Sequence, residues 1–422
     1  MVATSWTGVA VPLDKGATAY VEAIYHRKYR VSLAHDGRKN VKIMFDSSLN
    51  KFFGLLRYSL GTEGECPRMH LYEWRTVFEI SRKQSISAFI GSSLTSIKGN
   101  VLIEDDEKSK EAFGDLIMDW TGQVIKTARR NQKLNRDVIE EISKLGTKGL
   151  QSCLLKGQGN ALMYPNPYAR TPGDIDVWVR FKDQANDWEN IRRIIKLVKT
   201  ESPESVAAYH HIDAPDINGT PVEVHYRPHF MLSFIYNSRL QKYFAGHMDE
   251  QFSHYVKFDD TMIAVPTPEF NAVFQLSHIF NHLTHEGIGL RQILDYYFVL
   301  QKLSEQSVDL QKLSKTLNSL GLLNFAGAIM WILVNILGMD DKWAIADLDE
   351  KRGRFVINEI VQGGNFGRYD SRSEVKYFDN PITVQYRHIM RNVHLFEYFP
   401  HHALVEPLAR GVLFFKRKML NK

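Results

Sequence analysis

The sequence predicts an α+β protein in which two helical regions flank a short strand-bearing centre. Three observations carry this. Apolar residues recur at spacings of three and four between Ser47 and Gly149. The texture then changes, over residues 151–267, to short apolar runs, one alternating segment and an Asn-Gly turn. From Pro268 onward the helical spacing returns. The chain has 422 residues, 44% apolar and 12% aromatic, which is enough to bury sizeable cores and unlike a disordered chain. Two cysteines, Cys66 and Cys153, exclude a disulfide framework and a Cys-rich zinc module. No apolar run approaches the roughly 18 residues of a membrane span, and the first residues lack the order of a secretory signal. A cytoplasmic protein without a membrane partner is expected.

Taken in order, residues 1–43 show no sustained periodicity beyond a possible short helix over Ala19–Tyr29. They hold seven basic and three acidic side chains, so +4 of the formal charge of +5 lies there. This predicts a basic leader, poorly ordered or outside the natural chain. The remaining 46 basic and 45 acidic residues nearly cancel, so the sequence pI of about 8.9 is no sign of a nucleic-acid surface.

Residues 44–150 read as a helical N-terminal subdomain. Leu71–Ile90 is one segment, with Trp74, Val77, Phe78 and Ser81 on one face before a break at Gly91–Ser93. A second runs from about Ser109 through Phe113, Leu116, Ile117, Trp120 and Val124, bending or breaking near Asn131–Asn135. A third passes through Val138, Ile142 and Leu145 to a C-cap at Gly146.

Residues 151–267 read as a sheet domain. Cys153–Leu155 is a buried strand entering the tight loop Lys156-Gly157-Gln158-Gly159, and Asn160–Tyr164 suits a helix. Asp174–Val179 alternates, with Asp174, Asp176 and Trp178 on one face and Ile175, Val177 and Val179 on the other. A helix over Asn186–Lys199 follows. Ser205–Asp213 and Pro221–Arg227 flank Asn218-Gly219, a strong hairpin signal, and strands near Tyr255–Phe258 and Met262–Val265 end the domain. Residues 268–422 form a helical C-terminal subdomain, with helices over Pro268–His285, Leu290–Leu303, Leu310–Leu320 and Ala326–Leu337. The closing Phe414–Lys418 reads as the solvated basic end of a terminal helix.

The chemistry centres on Asp174-Ile175-Asp176. In an extended segment these carboxylates project together, and adjacent buried charges are costly unless a cation compensates them. A divalent metal does so, and Mg²⁺ (or Mn²⁺) prefers a few carboxylates plus phosphate oxygens. Asp-x-Asp alone is a weak signal. Its apolar strand strengthens it, as does a third acid, Glu223, within Val222-Glu223-Val224, on one face with His225 and Arg227. If the strands are neighbours, three carboxylates meet at one point of a sheet, the arrangement for in-line displacement at phosphorus. The Lys156-Gly157-Gln158 turn between strand and helix can bring backbone N–H groups to a polyphosphate. Arg170 is a candidate phosphate clamp.

His278, His282 and His285 share a helical face and suit a metal site, a substrate pocket or a structural role. Gly287-Ile288-Gly289-Leu290-Arg291 breaks and restarts a helix. Arg291 near the new N-terminus is placed to bind an anion, or to pair with Asp295 one turn later. Gln362-Gly363-Gly364-Asn365-Phe366-Gly367 is glycine-dense but no strand precedes it, so it reads as a loop.

The ordered set of a Lys-Gly loop, Tyr164-Pro165, Arg170, Gly173-Asp174-Ile175-Asp176-Val177 and Val222-Glu223-Val224-His225 resembles the uncharacterised bacterial nucleotidyltransferase family, of the DNA polymerase β-type superfamily. The resemblance extends back to Glu73-Trp74 and Lys83-Gln84-Ser85. It extends forward to His282, His285 and Gly287–Asp295, covering roughly residues 50–400. It implies a small mixed nucleotidyltransferase sheet and metal-dependent transfer of a nucleoside monophosphate from an NTP to a hydroxyl acceptor, with release of pyrophosphate. By this resemblance Asp174, Asp176 and Glu223 bind Mg²⁺ and are catalytic, and Gly157 marks the phosphate-facing turn. Lys156, Gln158, Arg170, His225, His282, His285 and Arg291 are assigned to nucleotide or substrate. Gln158 departs from the superfamily's usual Gly-Gly or Gly-Ser, and the 16 residues between Gly157 and Asp174 make a long spacer. The near-neutral body favours a small molecule, sugar or protein acceptor over long RNA. Two other readings are a degenerate nucleotide-binding or scaffold protein, and a metal-dependent hydrolase using the histidine face.

Overall fold

The computed structural model describes residues 47–94, 103, 107–183, 187–370 and 381–421, so the basic leader expected over residues 1–43 lies outside the described residues. Helices α1 (Ser47–Leu60), α2 (Leu71–Lys83), α3 (Ser87–Leu94) and α4 (Glu107–Thr147) precede β1 (Leu150–Leu154). A one-turn helix, α5 (Gln158–Ala161), leads to β2 (Ile175–Phe181), α6 (Asp187–Glu201), β3 (His211–Ile217) and β4 (Thr220–His225). Helices α7 (Phe234–Gly246) and α8 (Met248–Ser253) and the ribbon β5 (Tyr255–Phe258) and β6 (Thr261–Ala264) follow. The rest is helical: α9 (Pro268–His285), α10 (Leu290–Ser304), α11 (Leu310–Ser319), α12 (Leu323–Asn335), α13 (Glu350–Gly363), α14 (Pro381–Phe396) and α15 (Pro400–Leu420).

The four-stranded sheet has the order β1-β2-β4-β3. Its central pair, β2 and β4, is parallel and the outer pairs are antiparallel, so the sheet is mixed and the fold α+β. Alternation gives the sheet two unlike faces. Ile175, Val177, Val179, Val222 and Val224 are buried with Leu134 and Val138 of α4 and Ile191 and Ile194 of α6. The other face carries Asp176 and Trp178 from β2 and Glu223 and His225 from β4. Trp178 packs on Phe252 and Phe270, the latter near the start of α9. A second core joins α1–α3 and the first half of α4 to the C-terminal helices, with Phe52, Trp74, Trp120, Phe274, Tyr296 and Trp331 among its large side chains. That core holds α9 and α10 against the polar face of the sheet.

Three local expectations change. The Leu71–Ile90 segment is two helices, separated at Gln84–Ile86 where Ser85 takes φ +57°, and Gly91 lies inside α3. No break occurs near Asn131–Asn135, because α4 runs unbroken for 41 residues. Asn131 donates from Nδ2 to the carbonyls of Tyr168 and Arg170 at 2.9 and 2.8 Å, and Asn135 donates to the Asp259 carboxylate. These asparagines tie the helix to neighbouring loops and do not turn the chain. The C-terminal end of α4 is Thr147, and the left-handed turn falls on Gly149 and not Gly146. The hairpin turn stands at Asn218-Gly219, both at positive φ. Among the described residues no helix is long and apolar enough to cross a membrane.

Candidate active site

The parallel register places Asp176 directly beside Glu223 on the neighbouring strand. Asp174 lies one residue before β2 and is exposed. All three carboxylates line one cavity of about 330 Å³, between the polar face of the sheet and helices α9 and α10. Lys156 and Gly157 line the same cavity. Gly157 has φ +57° and ψ −111°, a conformation that a side chain would strain, and an added Cβ would lie 3.3 Å from the Asp174 carbonyl oxygen. Glycine therefore lets the turn after β1 close on the start of β2.

Charge in this cluster is compensated by two cations. Lys156 Nζ stands 2.8 Å from Asp176 Oδ1. His225 Nε2 lies 3.1 Å from that same oxygen and 3.2 Å from Glu223 Oε2, donating between the two carboxylates. Burial alone would lower the pKa of His225, but hydrogen bonds to Asp176 and Glu223 outweigh it and raise it to about 9. Burial likewise opposes the Lys156 ammonium, and Asp176, Asp174 and Glu223 hold its pKa above the ordinary lysine value. Asp176 is buried and Glu223 half-buried, yet Lys156 and His225 keep the first well below the usual carboxylate range, and His225 lowers the second. Asp174 shifts the other way, upward, through the charge of Asp176 and through burial.

This donor set fits a divalent cation. Ligand atoms of Asp176, Glu223 and His225 lie within 4.8 Å of one another, and Asp174 adds a further carboxylate at the cavity entrance. Lys156 and His225 together supply two positive charges to the carboxylates, the same number that Mg²⁺ would bring.

Beside the carboxylates runs a wall of imidazoles. His278 Nε2 is 3.0 Å from Lys156 Nζ and 3.1 Å from His282 Nε2. The His229 ring centre stands 5.1 Å from that of His278 and 5.6 Å from that of His210. His210 meets His211 across a 3.1 Å nitrogen–nitrogen contact. Burial, then the neighbouring imidazoles and Lys156, lower the pKa values of His210, His229 and His278 well below the usual histidine value, so they are neutral near pH 7. His210, His211 and His229 were not among the residues singled out from the sequence. The His210-His211 doublet within the expected strand over Ser205–Asp213 was the available signal.

Several expected site residues have other roles. Arg170 lines the cavity, but its fork is engaged by Asp295, with Nε to Oδ1 and Nη2 to Oδ2 both 2.8 Å, and Tyr164 donates to the same carboxylate. A guanidinium so matched is a structural partner and not a free phosphate clamp. Asp295 therefore pairs with Arg170 and not with Arg291. Arg291 does reach the cavity, with a 3.4 Å contact to the Thr171 carbonyl, and among the described residues its buried Nε has no hydrogen-bond partner. Gln158 turns away, donating to Asn135 of α4. His285 also points elsewhere, bonding the Asn281 carbonyl at 2.7 Å and lying beside His402. Among the described residues, His278, His282 and His285 do not form a metal-binding group. His225 is found between Asp176 and Glu223, supporting the carboxylates.

No curated protein sequence matches this chain. Among solved structures, an antigenic nucleotidyltransferase-like protein from Paracoccidioides brasiliensis is similar, at 14% identity and a TM-score of 0.29, over 53% of this chain and 97% of that one. That likeness is too low to carry an argument. The profile of the uncharacterised nucleotidyltransferases matches residues 71–338, more than half of the sequence and all of the sheet, the Lys156-Gly157 turn and α9. On that match, the chain belongs to the uncharacterised nucleotidyltransferase family.

Proposed function

We propose that the protein transfers a nucleoside monophosphate from an NTP to a hydroxyl-bearing acceptor, with a divalent cation held by Asp174, Asp176 and Glu223. The observation that carries this reading is the register of β2 on β4, which sets Asp176 beside Glu223 inside a cavity that also contains the Lys156-Gly157 turn. When bound, the cation supplies positive charge to the phosphates and acidifies the attacking hydroxyl.

The residues of the chain do the rest by position and charge. The Gly157 turn approaches the phosphates through its backbone, where no side chain stands in the way. Lys156 moves its ammonium from Asp176 to the phosphate oxygens. His225 anchors the Asp176 and Glu223 carboxylates from behind. Glu223, whose side chain is freer than that of Asp176, faces the acceptor and receives its hydroxyl proton. The acceptor oxygen then bonds to the α-phosphorus as the bond to the pyrophosphate oxygen breaks. A small molecule, sugar or protein acceptor agrees with the near-neutral chain beyond residue 43.

The test incubates the purified protein with each α-labelled NTP, Mg²⁺ and a cell extract. Label should pass to an acceptor with the unaltered chain and not with Asp176→Asn, whose far-ultraviolet circular dichroism should match. Equal labelling by both proteins would sink the assignment.

A further inference from the structure

We propose that Phe366 is the nucleobase platform of this site, so that the NTP lies with its phosphates at the Lys156-Gly157 turn and its base against the Phe366 ring. This inference rests on the function proposed above and adds a residue that lies outside the family-matched segment 71–338.

Four observations converge on Phe366. Its ring is half-buried on the wall of the cavity that holds the carboxylates. It has φ +56° and ψ +34°, left-handed for a bulky side chain, between Gly364 at φ +61° and Gly367 at φ +64°. Such a conformation costs about 1 kcal/mol or more and persists only where its surroundings impose it. The ring is braced by two cavity residues, with the His282 ring centre at 5.3 Å and the Arg291 guanidinium at 5.4 Å. The loop that carries it is fixed to the α9–α10 junction by close backbone contact. A Cβ on Gly289 would stand 2.8 Å from Asn365 Cα, and one on Gly367 would meet the Glu286 carbonyl oxygen at 2.1 Å. The two glycine-bearing segments, 287–289 and 363–367, are thus one device that holds an aromatic ring in an unfavourable backbone state at the edge of the cavity.

The rest of the cavity decides what that ring receives. Lys156, His278, His282 and Phe366 follow one another in contact, so the carboxylates and the aromatic ring form opposite ends of one continuous wall. A ligand that is anionic at one end and flat and aromatic at the other matches it, and a nucleoside triphosphate has that form. Stacking tolerates any base, since every base has a π-face. Arg291, whose Nε has no hydrogen-bond partner among the described residues, stands beside the ring to meet polar atoms of the base or sugar.

Calorimetric titration in Mg²⁺ tests this with two probes, ATP and inorganic tripolyphosphate, on the unaltered chain, Phe366→Leu and Phe366→Trp. Leucine keeps apolar volume and loses the π-face, so ATP should bind about tenfold or more weakly to Phe366→Leu while tripolyphosphate binds as before. Phe366→Trp should keep ATP affinity within about threefold. Equal losses for both probes, or no loss for either, would overturn the platform and leave the proposed function standing. Failure of the unaltered chain to bind either probe would remove the function, and the platform with it. Matching thermal melting of the three proteins checks that the loop has kept its place.

Discussion

Arg170, Asp295 and Tyr164 on one side of the cavity, and Asp176, Glu223, Asp174, Lys156 and His225 on another, are both ionic clusters, but the first is buried throughout and the two are matched differently. In the first, one guanidinium meets one carboxylate through two parallel hydrogen bonds of 2.8 Å, and the tyrosine hydroxyl takes a further lone pair. The two charges match one for one. In the second, three carboxylates share two cations, one Asp176 oxygen serves both Lys156 and His225, and Asp174 is pushed toward its neutral form by its neighbour. A cluster with surplus charge is poised to exchange partners, whereas a matched one holds a scaffold. Residue type alone would not separate them, since both are Asp with Lys, Arg or His.

The largest effect that would break this contrast is on catalysis. Asp176→Asn should lower kcat for nucleotidyl transfer by roughly 10²–10³-fold or more, since it removes a carboxylate that holds the cation. It should change stability far less than that loss suggests, because Asp174 and Glu223 remain to balance Lys156 and His225. Steady-state rates beside urea denaturation measure both, and a large stability loss with intact turnover would invert the comparison.

The matched cluster should answer in the opposite currency. Asp295→Asn leaves Arg170 as a buried charge without its counter-ion, and breaking such a pair costs about 3–5 kcal/mol. The double change Arg170→Met with Asp295→Leu should recover much of that loss. Urea unfolding of the single and double variants at pH 7 reads the difference. If Asp295→Asn were neutral for folding, Arg170 would not be a scaffold residue.

A pH titration then sharpens the surplus cluster. The folded pKa of His225, about 9, exceeds its unfolded value near 6.5. Its protonated form therefore stabilises the fold fully below about pH 6.5, and this contribution is lost as pH rises through 9. The shift corresponds to roughly 3 kcal/mol in chelator-treated protein. Urea midpoints should fall over that window and become flatter in His225→Gln. Because the proton and a divalent cation compete for the same carboxylates, the Mg²⁺ midpoint should move to lower concentration from pH 7 to pH 9. An unchanged midpoint would detach His225 from the metal site.

The carboxylates were legible in the sequence because strand alternation and sheet pairing act on a simple period: Asp176 and Glu223 each sit among β-branched neighbours that point the other way. The helical ends and the Asn-Gly hairpin were legible for similar local reasons. The wall beside them was not. His210 and His229 flank the β3–β4 hairpin, while Phe366 follows α13, and only the packing of the C-terminal helices on the sheet brings its ring to their cavity. Arg170 was misread as a phosphate clamp because its partner, Asp295, is 125 residues away. The asparagines of α4 were misread as a break for the same reason, their partners being loops that no local pattern reveals.

Gln158 offers the smallest and most discriminating difference. It follows Gly157 directly, at a position where the superfamily resemblance suggests a phosphate contact, yet its amide donates to Asn135 Oδ1 and the residue is buried. Asn135 in turn donates to Asp259, so Gln158 belongs to a chain of hydrogen bonds tying the turn to α4 and the β5–β6 ribbon. Gln158→Met keeps the length and removes the donor, leaving one acceptor unmet, which costs about 1 kcal/mol of stability. The KM for NTP should stay within about twofold, because the phosphates meet the backbone of the Gly157 turn and not this side chain. A KM rise of tenfold with unchanged stability would return Gln158 to the phosphate site and show that the turn rearranges when nucleotide binds.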